Sequence, residues 1–159
     1  MSAINVGVIG ASGYTGLELV KILINHPEFT LSYVANSEGG TTIDKLHPSL
    51  AGVCELEVQK ADIDRVASSC ELVFLALPHK TAMAYVKPLI AKGVKVVDLS
   101  ADYRLPQDIY EEFYTPHTDP QNLEHVVYGL PEMYRKELES AKLVANPGCF
   151  PTSALLGLL

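Results

Sequence analysis

Ile4-Asn5-Val6-Gly7-Val8-Ile9-Gly10-Ala11-Ser12-Gly13-Tyr14-Thr15-Gly16 is the stretch that decides the fold. Its apolar run from Ile4 to Ile9 predicts a buried strand. Glycines at 10, 13 and 16 interrupt it, and Leu17, Val20, Leu23 and Ile24 then recur with helical spacing. In a strand, glycine loop, helix unit of this kind, Gly10 permits the tight turn, Gly13 lets the backbone approach a pyrophosphate, and Gly16 lets helix and strand pack closely. The helix N-terminus faces the anion. The spacing is GxxGxxG rather than the commoner GxGxxG, so the glycines alone are a weak signal; their place between an opening strand and an amphipathic helix points to dinucleotide binding.

Reading outward, Asn25-His26-Pro27 ends the helix and Phe29 to Ala35 is apolar enough for a second strand, which completes a βαβ unit. The fold expected is α/β: a Rossmann-like, doubly wound, mostly parallel sheet with helices on both faces. NAD-preferring units place an acid after the second strand to take the ribose 2′-hydroxyl. Here that strand ends at Asn36-Ser37, and the first acid, Glu38, comes later in a Gly-rich turn. Small hydroxyl and amide groups tolerate a 2′-phosphate, which favours NADP, although the nearest base in the segment that follows is Lys45.

Gly39 to Lys60 reads as a loop excursion followed by a short strand near Cys54 to Val58. Asp62 to Ser69 suits a short helix opened by Asp62, and Glu71 to Leu77 a buried strand. Pro78-His79-Lys80 closes that strand where a parallel sheet presents its carboxyl edge, so His79 faces either a ligand cleft or plain solvent. Thr81 to Ala91 has helical repeat with Pro88 inside, which predicts a kink or break near residue 87. Val94 to Leu99 is the next strand, and Ser100-Ala101-Asp102-Tyr103-Arg104 follows it toward the cleft. Asp102 and Arg104 either face that cleft or simply pair with each other, an arrangement that says nothing about substrate. His26, His47, His117 and His125 read as surface or turn residues. Val126 to Leu130 is strand-like, and Pro131 to Ser140 is a helix opened by proline.

The last segment, Lys142 to Thr152, repeats the theme with different chemistry. A short apolar strand runs into Asn146-Pro147-Gly148, and Pro151 suits the first turn of a helix, so Cys149 is expected just before a helix N-terminus. Unpaired backbone N–H groups and the positive end of the helix favour a thiolate there, and a free cysteine with a pKa of about 8.5 can be lowered by a unit or more in such a setting. Cys149 is therefore a candidate for covalent catalysis; a small buried core thiol is equally compatible with the local sequence.

Composition excludes several classes. At 159 residues with 48% hydrophobic content the chain has the mass for one core, and a net charge of −7 opposes a nucleic-acid partner. No apolar run approaches the roughly 20 residues of a membrane span, and the first residues carry no basic signal, so the cytoplasm is the expected compartment. Cys54, Cys70 and Cys149 are odd in number and far apart, which predicts free thiols and no metal site. Ala154 to Leu159 is apolar without a polar C-cap, which leads to the expectation that more protein follows.

Five segments occur in an order that resembles the N-acetyl-gamma-glutamyl-phosphate reductase family: Gly10 to Gly16, Leu77-Pro78-His79, Asp98 to Arg104, Tyr128 to Glu132, and Ala145 to Thr152. The likeness covers essentially the whole chain, and the cysteine and Asp98–Arg104 segments are its specific parts. The glycine loop is shared with the related aspartate-semialdehyde dehydrogenases. Lys80 and Ser153 depart mildly, standing where the family often has smaller residues. The resemblance implies a cysteine nucleophile, Cys149, that attacks a small-molecule acyl phosphate and forms a thioester reduced by NADPH, in arginine biosynthesis. It implies cofactor contacts from Gly10, Ser12, Gly13, Tyr14, Thr15 and Gly16 at the pyrophosphate, Asn36 and Ser37 at the adenosine ribose, and Pro78, His79 and Ser100 toward the nicotinamide. It further implies that residues 1–159 are the NADP-binding part of a homo-oligomeric full-length protein whose acid/base histidine and substrate pocket lie in a C-terminal domain. The chain alone is then expected to be nearly inactive. Aspartate-semialdehyde dehydrogenase, a non-catalytic NADP-binding module and a ligand-free fragment are the alternatives.

Overall fold

In the computed structural model, which describes residues 3–159, the opening stretch forms strand β1 (Ile4–Ile9) and helix α1 (Tyr14–Leu23). Side chains of β1 alternate between two cores. Val6 and Val8 pack with Val20 and Leu23 of α1, whereas Ile9 joins Val66, Met83 and Val86 on the other face. A strand apolar on both faces needs cover on both, which is why helices flank the sheet on either side.

The chain continues through β2 (Phe29–Asn36), β3 (Thr41–Thr42), α2 (Ile43–Leu46), a 3-10 turn (Pro48–Leu50), β4 (Glu57–Lys60), α3 (Ile63–Ser69), β5 (Leu72–Leu75), α4 (Met83–Ala91) and β6 (Lys95–Asp98). It ends with α5 (Gln107–Phe113), α6 (Pro120–Leu123), β7 (Val127–Tyr128), α7 (Pro131–Glu139), β8 (Leu143–Ala145) and α8 (Cys149–Leu158). All eight strands join one sheet in the order β3-β4-β2-β1-β5-β6-β8-β7, with every neighbour parallel except β3–β4. The chain moves from β1 to β2 and β4 on one side, then returns to build β5, β6 and β8 on the other. That reversal opens a crevice at the carboxyl ends of β1 and β5, where doubly wound sheets take ligands.

Three expectations are corrected. The strand placed near Cys54 to Val58 runs from Glu57 to Lys60, because Cys54 is buried beside Leu50 and its N–H donates to the Leu50 carbonyl, closing the turn instead. Helix α4 is not broken near residue 87 but continues through Pro88 to Ala91. The bond that Pro88 cannot make belongs to the carbonyl of exposed Ala84, in the first turn of α4, where water can replace it. His117 is a core residue: its Nε2 donates to the Asp102 carbonyl (2.8 Å), its Nδ1 accepts from the Asp119 N–H (3.1 Å), and Tyr103 and Tyr110 meet its ring edge-on.

Candidate active site

A cleft of about 1310 Å³ opens at that carboxyl edge. It collects Gly10, Ser12, Gly13 and Thr15 from the glycine loop, Asn36 and Ser37 after β2, Pro78 and His79 after β5, and Cys149 at the start of α8. Nine of the expected site residues thus share one cavity. Tyr14, Gly16 and Ser100 do not line it. The Tyr14 side chain is 91% exposed outside the cleft, and Gly16 is buried, where a Cβ would overlap the Gly10 carbonyl. Gly16 therefore serves close contact between α1 and the start of the glycine loop.

The glycine loop is held by its own backbone. The N–H groups of Gly10 and Ala11 both donate to the Ala35 carbonyl (2.9 and 3.0 Å), which anchors the loop to β2. Gly10 has φ +92°, and a side chain there would overlap the Ala76 carbonyl of the neighbouring strand end. Gly13 caps α1 without a side-chain hydrogen bond, and a Cβ on it would find its nearest neighbour 3.8 Å away, so the backbone is open to an approaching group. The N–H groups of Ser12, Tyr14 and Thr15 have no acceptor among the described residues. Such a cluster at a helix N-terminus suits a pyrophosphate. His47, expected at the surface or in a turn, follows the last residue of α2 and is half-buried, with Nε2 2.7 Å from the Ala11 carbonyl.

Cys149 is the first residue of α8, one place further into the helix than expected, and it is solvent-exposed; Cys54 and Cys70 are buried, and all three are free thiols. Burial raises the pKa of Cys70, which keeps that thiol protonated. The loop before Cys149 is fixed by Arg104. Its Nε donates to the Asn146 carbonyl and its Nη2 to the Leu99 carbonyl, both at 2.7 Å. These bonds tie the end of β8 to the end of β6. Nη1 would lie 3.1 Å from a Cβ built on Gly148, so the guanidinium packs directly against the cysteine loop. No ion pair forms between Arg104 and Asp102. At the other end of the loop, Thr152 closes the first turn on the Gly148 carbonyl through both its N–H (3.0 Å) and its hydroxyl (2.7 Å).

Asp102 instead anchors the strand end that carries His79. Its Oδ1 accepts from the Lys80 N–H (2.7 Å) and the Tyr110 hydroxyl (2.9 Å), and its Oδ2 from the Ala82 N–H (3.1 Å). Lys80 adopts φ +73°, alone among the described non-glycine residues in the left-handed region. The Ala101 N–H donates to His79 Nδ1 (2.9 Å), which places the ring proton of neutral His79 on Nε2. Ser100 turns inward: 1% exposed, it donates to Asp98 Oδ2 (2.7 Å) and accepts from the Asp102 N–H (3.0 Å). Its expected place near the nicotinamide is thus corrected, because the buried Asp98 carboxylate claims its hydroxyl. Burial pushes the Asp98 carboxyl up to about 6 even against the two Ser100 bonds, and burial together with the Asp102 bond raises the Tyr110 hydroxyl.

Sequence reasoning put Arg104 near the cleft but missed its clamp on the cysteine loop, and it missed the contact of His47 with the glycine loop. Their partners, Asn146 and Ala11, lie 42 and 36 residues away, beyond any local spacing signal.

A doubly wound sheet, an unpaired amide cluster at its switch point and a cysteine on the same rim define the class: a nicotinamide-dinucleotide-binding domain. The chain belongs to the family of the semialdehyde dehydrogenase NAD-binding domain, whose model matches residues 5–141. It is similar to proteins named N-acetyl-gamma-glutamyl-phosphate reductase from Sulfurimonas denitrificans (73% identity over 159 residues, 100% of this chain and 48% of that protein) and Wolinella succinogenes (56%, 100% and 47%). The chain thus spans about half the length of these curated relatives. Its backbone is similar to that of aspartate semialdehyde dehydrogenase from Candida albicans, solved with NADP, at a TM-score of 0.74 over 99% of this chain and 46% of that one, with 19% identity.

Proposed function

We propose that residues 1–159 are the cofactor-binding part of an enzyme that reduces N-acetyl-glutamyl 5-phosphate to the 5-semialdehyde with NADPH, through a thioester on Cys149. The observation that carries this reading is the shared cleft: the open glycine loop and the exposed cysteine line one cavity, and relatives at 73% and 56% identity bear the reductase name. The Ser12, Tyr14 and Thr15 amides would hold the pyrophosphate, Asn36 and Ser37 the adenosine ribose, and Pro78 and His79 the nicotinamide end. NADP is preferred because Lys60 is the Cα partner of Asn36 across β2 and β4 and brings in the base that the sequence after β2 lacks.

A reduced nicotinamide bound there supplies hydride for the thioester carbon. The protein's own steps begin at sulfur. The Cys149 thiolate forms a bond to the acyl carbon, the carbon–oxygen bond to phosphate breaks, and phosphate leaves with that electron pair. Arg104 keeps Nη1 without an acceptor among the described residues, beside Gly148, and supplies positive charge to the departing phosphate. His79 lines the cleft, is held at Nδ1, and keeps Nε2–H without an acceptor among the described residues, available as a donor.

The acid/base histidine and substrate pocket would come from a further domain matching the rest of the relatives' length. The surface of α8 supports this division: no residue of the helix is buried, and Phe150 and Leu158 are each 84% exposed. In a full-length protein containing this chain, phosphate-dependent NADP reduction with N-acetyl-glutamate semialdehyde is expected, and Cys149→Ser abolishes it. Activity with aspartate semialdehyde instead would overturn the substrate, and robust turnover by residues 1–159 alone would overturn the division.

A further inference from the structure

We propose that His47 is a positioning residue for the cofactor, acting through the glycine loop; this rests on the dinucleotide reading above. Its Nε2 lies 2.7 Å from the Ala11 carbonyl, and a carbonyl oxygen only accepts, so His47 Nε2–H is the donor and the neutral ring carries its proton there. Ala11 is fully buried, and His47 stands outside the cleft. In a trans peptide the C=O and the following N–H point in opposite directions, and the described residues contain no cis bond. Pinning the Ala11 carbonyl toward His47 therefore aims the Ser12 N–H the other way, on the side where Ser12 and Gly13 line the cleft. That N–H has no acceptor among the described residues, as a group held ready for an anion would not.

The platform beneath His47 is rigid enough for the task. Ile43 and Leu50, on either side of it, are buried in the same core as Val8, Ala11 and Val20. The His47 N–H donates to the Ile43 carbonyl (2.9 Å), and its carbonyl accepts from the Leu50 N–H (2.8 Å). The excursion between β2 and β4 thus carries one side chain back to the loop after β1. Without it the Ala11–Ser12 peptide can rotate, and the amide must be ordered at the moment of binding.

The test is titration calorimetry of the 159-residue chain with NADPH and with 2′-AMP, which keeps the adenosine end but lacks the pyrophosphate. For His47→Ala the expected result is a loss of about tenfold in NADPH affinity, the scale of one charge-assisted hydrogen bond, with 2′-AMP affinity unchanged. His47→Gln, which offers an amide N–H at similar reach, restores most of the loss. Equal losses for both ligands, or no loss for NADPH, would overturn the positioning role. A wild-type chain that binds no NADPH would overturn the dinucleotide reading itself, and this inference with it.

Discussion

Replacing Arg104 by methionine tests the most connected side chain at the cysteine loop. The substitution keeps an unbranched stem but removes both 2.7 Å bonds, leaving the carbonyls of Leu99 and Asn146 without their donor. Hydrogen bonds to a charged group contribute roughly 1.5–3 kcal/mol each. Both residues are only half-buried, so water recovers part of the loss, and the lower end of the range gives a total of about 3 kcal/mol. At about 2–4 °C per kcal/mol for a domain of this size, Tm should fall by roughly 6–12 °C. Circular-dichroism melting of the 159-residue chain measures this directly. Arg104→Lys should lose about half as much, because an ammonium cannot span both carbonyls. The alkylation rate of Cys149, read by mass spectrometry, should change in Arg104→Met as well, since the guanidinium packs against Gly148. A methionine variant melting within about 2 °C of wild type would refute the clamp, because even one lost charged bond predicts more.

Lys80→Gly should stabilise the chain by up to about 1 kcal/mol, since the left-handed backbone at φ +73° burdens lysine and not glycine; denaturant unfolding would show a higher midpoint with an unchanged slope. Asp98→Asn should flatten the pH dependence of stability. The folded carboxyl titrates near 6 against 3.8 in the unfolded chain, so Asp98 favours folding most at low pH, and that contribution, roughly 3 kcal/mol, is lost as pH rises between about 4 and 6. Melting at pH 4 and pH 7 should show a smaller gap for the variant than for wild type. Lys60→Glu should weaken NADPH binding about tenfold and leave NADH binding nearly unchanged, as measured by calorimetry; parallel losses for both would remove Lys60 from the 2′-phosphate site.

The sequence made legible what is local. Strand β1, the glycine loop and α1 announce themselves through an apolar run, three glycines and a 3.6-residue repeat, and Asp62 caps α3 as its residue type suggests, accepting from the Arg65 N–H at 2.9 Å. Cys149 at a helix start followed from Pro151 and the break at Asn146-Pro147-Gly148. What escaped is long-range. Asp102 meets Lys80 across 22 residues, and nothing in the spacing shows that its carboxylate goes to backbone N–H groups rather than to Arg104 two positions on. Ser100 follows β6 like a cleft residue, yet the cost of burying Asp98 draws its hydroxyl inward. Lys60 lies far along the chain from Asn36 and becomes its neighbour only through β2–β4 pairing. The excursion after β2 looked irregular because its helix is four residues long and its strand two, too short for periodicity to register.

The proposed chemistry requires a nicotinamide to reach Cys149 from a pyrophosphate seated on the glycine loop. A crystal structure of the chain with NADPH decides it. Phosphate oxygens are expected on the Ser12, Tyr14 and Thr15 amides and the nicotinamide ring between His79 and Cys149. A pyrophosphate bound away from that loop, or a nicotinamide directed away from the cysteine, would contradict it.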